Sequence, residues 1–253
     1  MDKMLEKQIQ MVDLRKQYER LRSEIDAAMQ TVINACAFIN GPQVKGFCNH
    51  LSDYLGIPYA IPCGNGTDAL QISLMAFDLH PGDEVIYFEP SFDSYAPIVR
   101  LQGATPIAIK LTVPDFAVNW DEVRAAITPR TRMIIINTPH NPSGQVFSAS
   151  DLEQLAALTR NTDIIILSDE VYEHVVFDGE PHHGMATHPQ LAERSVIISS
   201  FGKTYHVTGW RVGYCVAPAV LMDEICKVHQ FLMFSADTPM QHAFAEHMVD
   251  PQT

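Results

Sequence analysis

Seven short apolar runs, alternating with stretches of helical spacing, constrain the fold of this chain more than any other feature. The runs cover residues 60–63, 84–88, 106–109, 133–137, 164–168, 196–199 and 212–216. Between and after them, apolar residues at spacings of three and four predict helices over 67–77, 94–102, 120–127, 149–159 and 219–233. Strands alternating with helices over this length predict an α/β fold. It would be a three-layer α/β/α arrangement around a mainly parallel sheet of about seven strands, covered on both faces. Two helices are predicted ahead of the sheet. One covers 10–36, with Met11, Leu14, Tyr18, Leu21 and Ile25 on one face, and the other covers 44–55 and is closed by Gly56. The division expected is therefore a helical N-terminal segment, 1–56, and a sheet-bearing large domain, 57–253.

Composition narrows the function classes. A net charge of −13 argues against a nucleic-acid partner, which would need a basic face. The acidity forms no long block, so it speaks for solubility. Five cysteines, an odd number with no Cys-x-x-Cys pair, fit reduced thiols of a cytoplasmic protein better than a disulfide framework or a zinc site. No run is long and apolar enough to span a bilayer, and Met1 to Lys7 lack the apolar core of a signal peptide.

Ligands of open α/β sheets collect in the loops beyond the carboxyl ends of the strands. The loop after the first run, Gly64-Asn65-Gly66-Thr67-Asp68-Ala69, fits Gly-x-Gly-x-x-Ala, a dinucleotide fingerprint. Pro62 lies within the preceding run, where a central strand would lose a ladder bond, and the loop comes late for a fingerprint that opens its domain. Both readings share backbone N–H groups at a helix start, which bind phosphate. After the second run stands Phe92, and after the fourth a proline-locked loop carries Asn141. The fifth run ends in Asp169-Glu170-Val171-Tyr172-Glu173-His174. A carboxylate closing a buried strand is costly unless it meets a cation or donor, so Asp169 is expected to face something positive. Glu170 and His174 share a helix face at spacing four, but two such residues do not make a metal site.

The stretch 199–213 carries a single lysine, Lys203, in a predicted loop, with Ser200 three residues before and Arg211 eight after. No acid lies near it in sequence. A lysine desolvated between buried segments loses its proton more readily and becomes a nucleophile for carbonyls. A phosphate cradle, a flat aromatic, a fixed Asn, a buried Asp, a Tyr and a lone Lys with an Arg are the groups a pyridoxal phosphate site requires.

From about Glu84 onward the chain closely resembles the class I/II pyridoxal-phosphate aminotransferases of fold type I. The branch is the one acting on methionine, aromatic amino acids or kynurenine. The resemblance rests on residues 140–144, 168–172 and 199–213. It implies Lys203 as the Schiff-base lysine and proton shuttle, and Asp169 as the partner of the pyridine nitrogen. Tyr172 and Asn141 become donors to the phenolic oxygen and Phe92 the stacking aromatic. Ser200, Arg211, Gly66 and Thr67 become phosphate ligands. The implied partners are an amino acid and a 2-oxo acid, with a homodimer as the assembly. Residues 11–18, 38–42 and 66–70 instead resemble the start of the DegT/DnrJ/EryC1/StrS sugar aminotransferases, another branch of the same fold type. The two resemblances meet near residues 81–86, so the chain reads as a composite, an engineered fusion rather than a natural gene. The resemblance also leaves no match for the class I N-terminal segment or the small C-terminal domain with its carboxylate-clamping arginine. Without that clamp, specificity and rate are expected to suffer. The alternatives weighed against an aminotransferase are a cofactor-binding scaffold with little or no activity, a lyase or racemase, and a nucleotide-binding module built on residues 64–69.

Overall fold

All seven runs become strands of one sheet: β1 (Tyr59–Cys63), β2 (Glu84–Glu89), β3 (Thr105–Lys110), β4 (Thr131–Asn137), β5 (Ile165–Asp169), β6 (Ser195–Ser200) and β7 (Gly213–Ala217). The computed structural model describes residues 13–248. Residues 10–12 of the first predicted helix, with Met11 and Val12 of the sugar-aminotransferase resemblance, lie outside the described residues, as do Met1 to Lys7. The sheet order is β1-β7-β6-β5-β4-β2-β3, and β7 runs antiparallel to both its neighbours. The other pairs are parallel.

Ten helices are described: α1 (Leu14–Ala35), α2 (Pro42–Leu55), α3 (Gly66–Ala76), α4 (Tyr95–Leu101), α5 (Trp120–Ala126), α6 (Ala149–Thr159), α7 (Pro189–Ala192), α8 (Phe201–Thr204), α9 (Ala219–Leu232) and α10 (Thr238–His247). The strands are apolar on both faces, and their period of two feeds two separate cores. Ile86, Ile134, Ile136, Ile166 and Ile197 pack with Phe47 of α2, Leu155 of α6, Leu191 of α7 and Phe244 of α10. Val85, Met133, Ile135, Leu167, Val196 and Ile198 pack with Leu70 of α3, Val99 of α4 and Ile225 of α9. Each fully buried Ile or Leu contributes about 2 kcal/mol from its removal from water. Ahead of the sheet, α2 packs on β1 and on α10, and α1 lies along α10.

Local signals explain the boundaries. Cys36 ends α1 in the left-handed region at φ 51°, and Pro42 opens α2 at a position where its missing N–H costs nothing. Gly56, at φ 67°, ends α2 as predicted. Ser148 and Asp151 form the reciprocal capping box of α6. Asn119 caps α5 by accepting from the Asp121 and Glu122 N–H groups, but Glu122 returns to the Asn119 side chain rather than to its backbone. Pro62 sits in β1, at the sheet edge, where a missing donor is tolerated. Sequence spacing missed α7 and α8, each one turn long, and α10, which Asp237 caps by accepting from Met240 N–H. The five cysteines are free, and no helix among the described residues is long and apolar enough to cross a membrane.

Candidate active site

The topology brings the predicted residues to one edge of the sheet. Since β1 and β6 are both antiparallel to β7, they point the same way as β2, β4 and β5. The carboxyl ends of β1, β2, β4, β5 and β6 therefore share an edge with the start of β7. Residues 64–66, Phe92, Asn141, Asp169 and Tyr172, Ser200 and Lys203, and Arg211 all leave from there.

Gly66 is the first residue of α3, and Thr67 lies exposed in the same first turn. Asn65 caps the helix by accepting from Asp68 N–H, and its amide donates to the Asp68 carboxylate at 2.5 Å. Ser200 ends β6 next to this turn: a Cβ on Gly66 would lie 3.8 Å from the Ser200 hydroxyl oxygen. Ser200 is also the N-cap residue of α8, with its hydroxyl making no capping bond. Gly213 permits the approach of the strands, because a Cβ there would fall 2.6 Å from the Asn65 carbonyl carbon. A helix start with a serine hydroxyl beside it is a natural anion cradle. Arg211 stands two residues before Gly213, exposed at φ 57°, and donates to the Thr208 carbonyl at 3.1 Å.

Asp169 closes β5 and is half-buried. Among the described residues no cationic side chain pairs with it. It accepts instead from the Tyr95 hydroxyl at 2.7 Å and from Val171 N–H at 3.2 Å. Desolvation pushes its carboxyl up to about 6, Tyr95 and Val171 pull it back down in part, and the Glu170 charge adds to the push. Phe92 meets the Tyr95 ring edge-on, with centroids 5.7 Å apart. Asn137, buried at the end of β4, ties the site together. Its oxygen accepts from Asn141 N–H at 2.7 Å and its amide donates to the Asp169 carbonyl at 2.9 Å.

Lys203 requires a correction. It lies in the single turn of α8 rather than in a loop, and it is exposed rather than desolvated, because α8 leaves the sheet at its open edge. Its Nζ stands 6.0 Å from the centre of the Tyr172 ring, close enough for a cation–π contact, and it has no ion-pair partner among the described residues.

Two contributors escaped the sequence reading. Tyr95 and Asn137 stand in the loops already singled out, but nothing in their spacing distinguished them from core residues. A third group lies in the opposite layer. Glu170, Glu173 and His182 bring ligand-capable atoms within 4.8 Å of one another, whereas His174, paired with Glu170 in the sequence reading, contacts Glu173 at 3.7 Å.

Residues 11–253 match the family model described as aminotransferase class I and II. The methionine aminotransferase of Escherichia coli (strain K12) is 50% identical over 180 residues, covering 71% of this chain and 46% of that protein. The kynurenine–oxoglutarate transaminase of Dictyostelium discoideum is 36% identical over 229 residues, covering 82% of this chain and 53% of that protein. Among solved structures, Escherichia coli YbdL, reported with a methionine aminotransferase function, superposes with a TM-score of 0.82 at 39% identity, over 90% of this chain and 63% of that one. The aromatic aminotransferase of Pyrococcus horikoshii OT3 gives 0.83 at 30% identity, over 91% and 65%. The chain spans about half the length of these curated relatives.

Proposed function

The chain belongs to the class I and II aminotransferases, and from that premise we propose that it transfers an amino group from a methionine-type or aromatic amino acid to a 2-oxo acid. The family works with pyridoxal phosphate, and the chain's own residues fit that group. The observation that carries the reading is Asp169. It is a carboxylate at the end of a central strand, raised to about 6 by burial and without a cationic partner among the described residues, on the same edge as Lys203 and a helix start. A protonated ring nitrogen would supply the missing positive charge.

In this reading the first turn of α3 with Gly66 and Thr67, the Ser200 hydroxyl and Arg211 hold the phosphate. Phe92 would cover one ring face, while Asn141 and Tyr172 would donate to the phenolic oxygen. Asp169 holds the proton on the ring nitrogen. When bound, the cofactor supplies an electron sink for the substrate's α-carbon electrons. Lys203 Nζ would hold the cofactor and would also take and return the proton at the substrate α-carbon. Its open position fits a group that must swing between those tasks, and Tyr172 flanks its ammonium.

Several finer points belong to the same proposal. The 50%-identical match covers 71% of the chain, whereas the fold match at 39% identity extends over 90%. We retain the reading of a composite whose first 86 or so residues resemble the sugar-aminotransferase branch, while the class I and II family model matches from residue 11 onward. We retain the division into a helical segment, 1–56, and a cofactor-binding large domain, 57–253, working as a homodimer in the cytoplasm. A second reading stands beside the first: a cofactor-binding scaffold with little or no transaminase activity.

Visible absorbance of the purified chain with pyridoxal phosphate, beside a Lys203→Ala control, tests both. A lysine-dependent band that methionine or an aromatic amino acid removes and a 2-oxo acid restores is the expected result. A band that amino acids leave unchanged would select the scaffold. No lysine-dependent band would sink both readings.

A further inference from the structure

We propose that Tyr95 is a positioning residue, whose hydroxyl aims the Asp169 carboxylate at the cofactor's ring nitrogen while its ring props Phe92 against the cofactor's face. The inference rests on the cofactor reading above and adds a residue that the sequence pattern did not mark.

The geometry is specific. Tyr95 is the first residue of α4 and is only 2% exposed, so its hydroxyl must find a partner inside the protein. The partner is Asp169 Oδ2, at 2.7 Å, while Oδ1 accepts from Val171 N–H at 3.2 Å. Donors from two different elements, α4 and the turn after β5, thus fix the carboxylate plane. Each oxygen retains acceptor capacity beyond these two bonds. The same Tyr95 ring stands at 80° to Phe92. One buried side chain therefore couples the Asp169 carboxylate to the Phe92 ring.

The charged and titratable neighbours are few. Tyr172 and Asp169 face the Tyr95 hydroxyl, Glu170 adds its charge to Asp169 from the other layer, and Lys203 stands over Tyr172. A tyrosine present only for packing could become phenylalanine without moving any of them. A donor to the charged carboxylate could not, because losing it disfavours the ionised form.

The test separates ring from hydroxyl. Tyr95→Phe keeps the support for Phe92 and removes the donor, whereas Tyr95→Leu removes both. In the protein without cofactor, carboxyl ¹³C NMR follows the Asp169 titration, with Asp169→Asn identifying the signal. In Tyr95→Phe its midpoint should rise by about one pH unit, the size of a hydrogen bond to a charged group. Absorbance titration should show pyridoxal phosphate binding about tenfold weaker near neutral pH in Tyr95→Phe. Tyr95→Leu should bind more weakly still, with Phe92 fluorescence-silent but its loss of support visible as a further drop in affinity. An Asp169 midpoint unmoved in Tyr95→Phe overturns the inference. If the unsubstituted chain binds no pyridoxal phosphate, the cofactor reading falls, and the NMR titration still decides whether Tyr95 governs Asp169.

Discussion

Asp169 and Glu170 are adjacent carboxylates that turn into opposite layers, and their surroundings differ in kind. Glu170 is 2% exposed and fully supplied: Ser168 hydroxyl at 2.8 Å and Met185 N–H at 2.9 Å on one oxygen, His182 at 3.0 Å on the other. Among the described residues Asp169 has a hydroxyl and one N–H but no cationic partner. A closed network of this kind holds a turn in place. A carboxylate with donors but no counter-charge is held ready for something absent from the chain itself. In the proposed function, one strand end thus serves structure on one side and chemistry on the other.

The largest effect should come from the chemical side. Asp169→Asn removes the charge that would hold the proton on the ring nitrogen, and kcat/KM with amino acid donors should fall by about 10²–10⁴. The urea midpoint at pH 8 should hold or rise, since a disfavoured buried charge is gone. A variant that unfolds while its turnover per folded molecule is unchanged would reverse the assignment of the two carboxylates.

Glu170→Ala should do the opposite. It strands the His182 imidazole, the Ser168 hydroxyl and Met185 N–H in a buried space, at a cost of about 3 kcal/mol in urea unfolding. Lysine-dependent cofactor absorbance should persist in whatever fraction remains folded.

The pH dependence of stability sharpens the contrast further. Desolvation pushes the Glu173 carboxyl up to about 7, with the Glu170 charge adding to it, and Asp169 up to about 6. Both are acids whose folded state binds the proton more tightly than the unfolded chain does. Stability therefore falls as pH rises from about 4 through these values and levels off beyond them. For Glu173 the loss between about pH 4 and pH 7 is on the order of 3 kcal/mol. Glu173→Gln should flatten most of this slope in urea titrations from pH 4 to pH 8, leaving only the Asp169 part below pH 6.

How much of this was legible beforehand follows from the range of the forces involved. Both cores were readable because Met133 to Ile136, or Val196 to Ile198, are apolar at every position, and only a strand buried on both faces needs that. The residues at the carboxyl edge were readable because loops after strands carry sites whatever the pairing order. The tyrosine on Asp169 was not readable, since 74 residues separate the partners and only the sheet order brings them together. For the same reason His182, twelve residues from Glu170, stayed hidden while the nearer His174 drew attention. Burial of Lys203 was misjudged because apolar neighbours in sequence, Val196 to Ser199 and Val212 to Val216, flank it from within the sheet while α8 turns outward. Sequence gives the company along the chain, and exposure depends on the company across it.

The smallest effect tests whether supplied donors matter in proportion to charge. The Tyr214 hydroxyl, fully inside the sheet's other layer, donates to Glu173 Oε1 at 3.1 Å. This bond favours the ionised carboxylate and opposes the burial that raises it. Tyr214→Phe should therefore cost about 1 kcal/mol at pH 8, where Glu173 is charged, and less at pH 5, where it is protonated and needs the donor less. The apparent midpoint of the stability curve should move above 7 by the same reasoning. In Asp169 the corresponding change is Tyr95→Phe, and its consequence should appear in cofactor binding rather than in the unfolding curve. Equal stability losses at both pH values in Tyr214→Phe would mean that the hydroxyl acts through packing alone. The distinction between a closed structural network and an open chemical one would then have to rest on exposure instead of on charge.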